Sequence, residues 1–534
     1  VKFVWEINRL DFLPFLGLAY HLTGKNRYAE KILSTVAHWQ QENPYLLGVN
    51  WTSGIELGLR VANLLWALSF LDKYKFSDAD YQSLNSFILF HARHLYRYPS
   101  RYSSNNNHAL AEAFGLFLCG VYFPHLKNSD KWLEFGQQTL ERECLNQILP
   151  DGGSFEYSTT YLSFVFDFFL LYRHVCIRSG LEYSSGVDHR LKQACYFINS
   201  IMDRDGHVPN MGDQDSAVLV NFGLSNAENF ISILNTGAVI FNEPELVREP
   251  VDLKTFMLTG ETEIGQKSSF QSLNENSETE SVLHKEIGLA VIRDRVGGQE
   301  VLFVGNAMPL GMAPLYAHGH LEALSFTLSV EGKEVFVDPG TYLYNSGGKW
   351  REYFRSTAAH NTLRLNGQDF SKQTGDFMFG KPYQITENLL EKADGKVCWR
   401  AGHNAYMKKS PFASVDRKTV WENENQVFRI LDSVKGREQF FAELFFHFHP
   451  ECRVKEKENG FEIAREGVEV FLETDAAMES DLLYGSTEPI CGWYSPEFNK
   501  IMKSLSVRLY GTFDKTADLK TNIWLRFPDE HKNK

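Results

Sequence analysis

The chain has 534 residues, too many for one hydrophobic core, so two or three domains are expected. Its 54 Lys and Arg against 67 Asp and Glu give a net charge of −13, which argues against a general nucleic-acid binder; a locally basic cleft for an anionic ligand stays compatible with it. A 43% apolar share without long charge blocks or a low-complexity tail argues for folded domains rather than extended disorder.

No unbroken apolar run reaches about 18 residues, so no membrane span is predicted; the apolar segment 164–172 is short and carries Asp167. The chain starts at Val1 and residues 1–9 already read as folded sequence, so the expectation is that a leader or early segment has been removed. Seven Cys, at 119, 144, 176, 195, 398, 452 and 491, form no CxxC pair, which points to neither a disulfide framework nor a cysteine metal site.

Up to about residue 255 the pattern is helical. Apolar residues recur at three- and four-residue spacing in blocks near 8–22, 27–41, 54–72, 79–96, 107–123, 130–147, 157–179 and 188–203. Breaks such as Thr23-Gly24-Lys25 and Asp151-Gly152-Gly153 separate them. A long series of antiparallel helices predicts a toroid or solenoid, without a fixed-period repeat. Residues 260–284 are polar and read as a linker. Beyond them the period becomes two, with candidate strands at 288–293, 301–304, 325–330, 334–337, 362–365, 426–432, 440–449 and 461–464, and tight-turn signals at Glu331-Gly332 and Asn366-Gly367. The expected organisation is an all-α domain over 1–259, a linker over 260–284 and an antiparallel β-sandwich over 285–534, with a cleft between the two domains.

Four constellations carry chemistry. Ser103-Ser104-Asn105-Asn106-Asn107-His108 opens a helix; it reads as a cap, but three Asn and a His exceed what capping needs and suit a carboxylate at a helix N-terminus. The Gly-rich turn at Asp151-Gly152-Gly153 leads to Tyr161, which shares a helix face with Val165 and Phe168 and on spacing alone reads as core. His318-Gly319-His320, Asp338 and His360 supply two His and one Asp for a zinc site, while His447 and His449 read as cross-strand packing. Arg351 and Arg355 offer forks for an anion against the alternative of a solvated turn, and Trp51 with Glu56 and Arg60 offers an aromatic platform beside polar groups, with helix packing an equal account of Trp51. No P-loop, dinucleotide fingerprint, HExxH or GxSxG occurs.

Taken together, Asn106-Asn107-His108 with Glu112, the 151–161 segment, His318-Gly319-His320-Leu321-Glu322, Val337-Asp338-Pro339-Gly340-Thr341-Tyr342 and Arg355-Ser356-Thr357-Ala358-Ala359-His360-Asn361 resemble the heparinase II/III family of polysaccharide lyases. The resemblance implies an (α/α) toroid followed by an antiparallel β-sandwich. It also implies β-elimination on a uronic-acid-containing anionic polysaccharide, with a glycosaminoglycan such as heparan sulfate or hyaluronan favoured over alginate. Asn107 with His108 would neutralise the uronate carboxylate. Tyr161 would be the acid and a candidate base, which displaces its reading as core. His318 would be the active-site His of the sandwich, and Tyr344 a second catalytic Tyr. One mainly structural zinc, on His320, Asp338 and His360, would fix the loop bearing His318. Trp51, Arg60, Arg351 and Arg355 would meet the substrate, in a periplasmic or secreted enzyme. Leu162 and Glu322 depart from the family pattern, where His and Asp are common. The competing classes are a glycoside hydrolase, with Glu156 and Asp151 as its only carboxylate candidates, and a non-catalytic carbohydrate-binding protein.

Overall fold

The computed structural model describes residues 2–102, 105–215, 217–219, 223, 226–248, 251–261, 279–345 and 347–526. Ser103 and Ser104 of the expected cap, and residues 262–278 of the expected linker, lie outside them. The helices are α1 (Lys2–Asn8), α2 (Leu13–Thr23), α3 (Asn26–Glu42), α4 (Gly54–Ser69), α5 (Asp78–Arg97), α6 (Asn107–Tyr122), α7 (Ser129–Gln147), α8 (Thr159–Ser179), α9 (Ser185–Ile201), α10 (Asn226–Phe241), α11 (Leu253–Thr259) and α12 (Lys349–Phe354). All eight expected helical blocks form. Their ends follow local chemistry: Gly24, with φ 64°, closes α2, and a reciprocal Ser77–Asp80 capping box opens α5.

The chain divides into two compact units. The first comprises residues 1–147, 164–191 and 218–224. Here α6 lies against α4, α5 and α7. The α4–α6 approach is close because glycines meet: a Cβ on Gly58 would lie 2.1 Å from the Ala111 carbonyl oxygen. Helix α8 is long and apolar enough to cross a membrane, contrary to the run-length reading, but 83% of its apolar window is buried inside the protein, as a core helix requires.

The second unit comprises residues 148–163, 192–217 and 225–534. One sheet is a five-stranded antiparallel meander, β1 (Glu280–His284), β2 (Leu289–Val296), β3 (Gln299–Asn306), β4 (Phe326–Val330) and β5 (Lys333–Phe336). Strand β1 falls within the span read as linker, where its few apolar residues sit among polar neighbours; it pairs Val282 with Val291. An eight-stranded sheet runs in the order Arg453–Lys457, Gly460–Arg465, Val468–Glu473, Thr516–Arg526, Val427–Lys435, Ala413–Glu422, Lys396–Tyr406, Ile385–Ala393. A four-stranded sheet runs Glu479–Tyr484, Leu505–Phe513, Phe440–His447, Leu363–Leu365. Glu331-Gly332 (φ 51° and 71°) and Asn366-Gly367 (φ 51° and 64°) form the turns their sequence predicts, with both central residues left-handed as a tight hairpin demands.

The sheets meet through aromatic rings. Phe303 on β3 stacks on Phe326 of β4 at 5.3 Å and on Phe428 of the eight-stranded sheet at 5.0 Å, while Phe326 lies 6.3 Å from Phe446 of the four-stranded sheet. Arg417, wholly buried in the eight-stranded sheet, forks onto Asp432 at 2.7 and 2.9 Å and donates to the carbonyls of Leu324 and Asn361. Those carbonyls sit beside the His318–Glu322 and His360 segments, so the sandwich core directly braces the site described next.

Candidate active site and metal centre

Every residue of this cluster belongs to the second unit. The 148–161 segment makes a Gly-rich turn: Asp151 Oδ1 accepts the Gly153 N–H, and Oδ2 accepts those of Glu286 and Ile287. Asp151 is therefore occupied by backbone donors, which removes it from the carboxylate pair that a glycosidase needs. The turn delivers Ser158, whose hydroxyl accepts the Tyr161 N–H at 3.2 Å and donates to the Asp213 carbonyl at 2.7 Å. Tyr161 thus enters the first turn of α8 with a fixed direction.

Tyr161 is 4% exposed, and its hydroxyl is hydrogen-bonded to that of Tyr344. The Tyr344 hydroxyl meets His318 Nδ1 at 2.8 Å, and the Tyr161 ring stacks on the His318 ring at 4.1 Å. His318 Nδ1 also faces Asp213 Oδ2 at 3.1 Å, and its Nε2 faces Glu156 Oε2 at 3.5 Å. Asp213 is fully buried and gripped by both terminal nitrogens of Arg351, the second of them at 2.7 Å. Burial alone would raise the Asp213 carboxyl; Arg351 and the hydrogen bonds of His318 and His320 outweigh it and hold the group well below its usual range. An ionised carboxylate needs donors, so His318 carries its proton on Nδ1 and the Tyr344 oxygen shares that proton as an acceptor. Burial pushes the Tyr161 phenol well above 10, reinforced by Asp215 and Tyr344; burial, with Asp213 and Asp215, does the same to Tyr344.

His320, Asp338 and His360 converge as expected, with one donor atom from each lying within 4.8 Å of the others, all buried. His360 Nδ1 donates to Asp338 Oδ2 at 2.8 Å, and His320 Nε2 donates to Asp213 Oδ1 at 3.0 Å. That leaves His360 Nε2 and His320 Nδ1 as lone pairs, both buried without a hydrogen-bond partner. Burial first, against the pull of Asp213, lowers His320 to about 4, so its ring is neutral. Two orphaned imidazole lone pairs beside a carboxylate are the donor set of a divalent transition-metal ion, and the site fits one. Asn361 ties these pieces together, donating to the Phe326 and Val337 carbonyls at 2.8 and 3.0 Å and accepting the His447 N–H. His447 itself bonds Ser506 and the Ala358 carbonyl, in agreement with its packing role.

Several sequence-derived assignments need correction. Arg60 is fully buried; it lies 4.2 Å from the Trp39 ring and bonds the Asn8 carbonyl and His91, and burial lowers it to about 9. Trp51 is 5% exposed among Trp39, Tyr45 and His91, and its indole N–H goes to the Asn43 carbonyl. Both are core: α4, which carries Arg60, is covered on more sides than an amphipathic pattern reveals, and Trp51 sits in the short turn before it. Arg351 is the buried counter-ion of Asp213 rather than a surface fork. Arg355 is buried on Phe379 and donates to the Gly375 and Asp376 carbonyls. In the first unit, Asn106 caps α6 by accepting the His108 N–H at 3.2 Å, Asn107 is buried and His108 half-buried. Asp213 was missed: a single Asp in an aperiodic segment carries no signal beyond the neighbouring Gly212.

The chain matches the models for the heparinase II/III N-terminus over residues 2–235 and the heparinase II/III-like C-terminal region over 276–521. The chain belongs to the heparinase II/III family. Among curated relatives it is 25% identical over 376 residues to a heparin-sulfate lyase of Pedobacter heparinus, covering 68% of this chain and 52% of that protein. It is 22% identical over 463 residues to a heparin-sulfate lyase of Bacteroides stercoris, covering 82% and 62%. The chain thus spans between half and two thirds of the length of these two family members. A solved heparinase III structure superposes with a TM-score of 0.76 at 18% identity, covering 98% of this chain and 78% of the other. The heparan sulfate lyase of Pedobacter heparinus gives 0.67 at 19%, covering 98% and 77%. These likenesses show the fold, the (α/α) toroid followed by an antiparallel sandwich that the sequence predicts.

Proposed function

We propose that this heparinase II/III family member is a lyase that cleaves a uronate-containing glycosaminoglycan of the heparan sulfate class by β-elimination. The observation that carries the reading is the buried Tyr161–Tyr344–His318 hydrogen-bond chain anchored on Asp213 and Arg351. The heparin-sulfate lyase names of its relatives support the substrate class.

The family resemblance assigns to Asn107 and His108 the neutralisation of the uronate carboxylate, which stabilises the enolate-like charge after the C5 proton leaves. Tyr161, kept protonated by burial, delivers a proton to the departing 4-oxygen. His318, with Nδ1 engaged by Asp213 and Tyr344, takes the C5 proton on Nε2, beside the Glu156 carboxylate at 3.5 Å; once product leaves, that proton passes to solvent and Tyr161 regains one from solvent. No water attacks, so no pair of hydrolytic carboxylates is needed. His320, Asp338 and His360 would hold zinc, which when bound supplies fixed positive charge and mechanical anchorage for the loop carrying His318.

The test offers heparan sulfate, heparin, hyaluronan and alginate, each native and carboxyl-reduced, and follows ultraviolet absorbance of the unsaturated uronate. Native heparan sulfate should yield the chromophore and its carboxyl-reduced form should not. New reducing ends without the chromophore would overturn elimination in favour of hydrolysis, and a product from alginate alone would move the substrate to another uronan.

A further inference from the structure

Four side-chain donors, from His318, His320 and Arg351, converge on the buried Asp213, which neither the composition nor the motifs single out. We propose that Asp213 is a positioning residue shared by the metal site and the proton-transfer chain, one oxygen fixing the ring of His320 and the other the ring of His318. The inference rests on the metal and reaction readings above and adds that one carboxylate couples the two.

The geometry is specific. Oδ1 lies 3.0 Å from His320 Nε2 and Oδ2 lies 3.1 Å from His318 Nδ1, so each ring must turn an N–H toward the same carboxylate. A neutral imidazole has one donor and one acceptor. Spending the donor on Asp213 leaves His320 with Nδ1 facing the metal site, the atom that is buried without a partner. It fixes Nδ1 of His318 as the donor and turns Nε2 toward Glu156 Oε2 at 3.5 Å. Arg351 fixes the carboxylate itself, because its two terminal nitrogens bond the two oxygens and its Nε and Nη2 also bond the Asp376 carbonyl. Outer carboxylates of this kind set the tautomer and direction of metal-bound histidines.

The backbone holds Asp213 as tightly as the side chains do. Its N–H donates to the His318 carbonyl at 2.8 Å, and its carbonyl accepts the Ser158 hydroxyl. The next N–H, of Gln214, goes to the Thr341 hydroxyl at 2.8 Å. Gly212 makes this approach possible: its φ is +65°, and a Cβ there would stand 2.4 Å from the Tyr157 carbonyl oxygen and 2.8 Å from that of His318. The segment therefore binds the turn before Tyr161, the loop of His318 and His320, and the turn before Tyr344. Loosening the metal ligand and turning the catalytic ring become one event.

The experiment uses Asp213→Asn, whose amide oxygen can accept from one imidazole while its NH2 cannot accept from the other. Zinc affinity is read by competition with a chromophoric chelator, without polysaccharide present. We expect affinity about 10–100-fold weaker than wild type. In zinc-saturated variant, kcat should fall with KM little changed. A folded variant with wild-type zinc affinity and wild-type kcat overturns the proposal. Should the variant fail to fold, side-chain 15N spectra of the zinc-loaded wild type decide: His320 protonated on Nε2 and His318 on Nδ1 support it, and the opposite tautomer at either ring refutes it. A wild type that yields no unsaturated product defeats the reaction reading alone, since zinc affinity and tautomers are read without turnover.

Discussion

Replacing Tyr161 by Phe removes one oxygen and leaves the ring where it stacks 4.1 Å from His318. The Tyr344 oxygen still accepts from His318 at 2.8 Å, but its buried O–H loses the Tyr161 oxygen as acceptor. The stability loss should therefore be about 1–3 kcal/mol, the cost of taking the acceptor away from a buried donor. Loss of a positioned acid costs roughly 10²–10⁴ in rate, which at about 1.36 kcal/mol per decade is about 2.7–5.4 kcal/mol of barrier. The activity loss should thus be the larger of the two. Initial rates of chromophore formation measure the first and thermal unfolding the second, with KM little changed because the proton is needed only as the 4-oxygen departs. Since burial, Asp215 and Tyr344 hold the phenol well above 10, its acid form persists through the neutral and mildly alkaline range. Any fall in rate between pH 7 and 9 must then come from another group. A variant turning over within about threefold of wild type would refute the acid role.

Removing the metal with a chelator should lower the melting temperature and activity together, with zinc restoring both; an unchanged melt in verified metal-free protein would refute a structural site. Arg60→Met should destabilise by about 1–3 kcal/mol, by stranding the Asn8 carbonyl and His91, without changing KM; a raised KM at unchanged stability would return Arg60 to the substrate. Gly212→Ala should cost on the order of 2 kcal/mol or more in unfolding free energy and depress kcat, because a left-handed backbone and two carbonyl oxygens oppose the new Cβ; near-wild-type values for both would show that the segment yields. His207 is raised to about 9, chiefly by its hydrogen bond to Asp203. A raised value means stability fully present below about 6.5 that disappears as pH climbs through about 9. The side chain is 40% exposed, so screening limits the effect to about 1 kcal/mol or less. His207→Ala should accordingly lose stability at pH 6 and match wild type at pH 10, and an equal loss at both would refute the pairing.

What the sequence reveals follows from which forces act locally. Helices α2–α9 are legible because each buries one stripe at a 3.6-residue period, and the two hairpin turns because Glu-Gly and Asn-Gly tolerate left-handed dihedrals. Strands Ile385–Ala393, Lys396–Tyr406 and Ala413–Glu422 escape the reading: their charged and polar residues, such as Glu387, Arg400, Asp416 and Lys418, blur the alternation, and pairing with distant partners decides them. His320, Asp338 and His360 are readable as a group because imidazoles and carboxylates in turns have few structural uses. Trp51 and Arg60 mislead because an amphiphilic side chain looks the same in a core as on a binding face. Asp213 stays silent because its meaning lies in three partners more than 100 residues away.

The eight-stranded sheet ends on Arg453–Lys457, whose outer row of backbone donors and acceptors faces no further strand among the described residues. Such a row is a template for any extended chain that drifts past, including another copy of itself. Of its five residues only Val454 is uncharged, and three of the four charges are positive. Two copies meeting rim to rim would press lysines and arginine against their own kind, so the sheet repels its own image while offering its peptide groups to water. That protection is electrostatic and salt weakens it, since at about 1 M ionic strength the screening length shrinks to about 3 Å. The rim is therefore a place where concentrated brine would let this sheet grow.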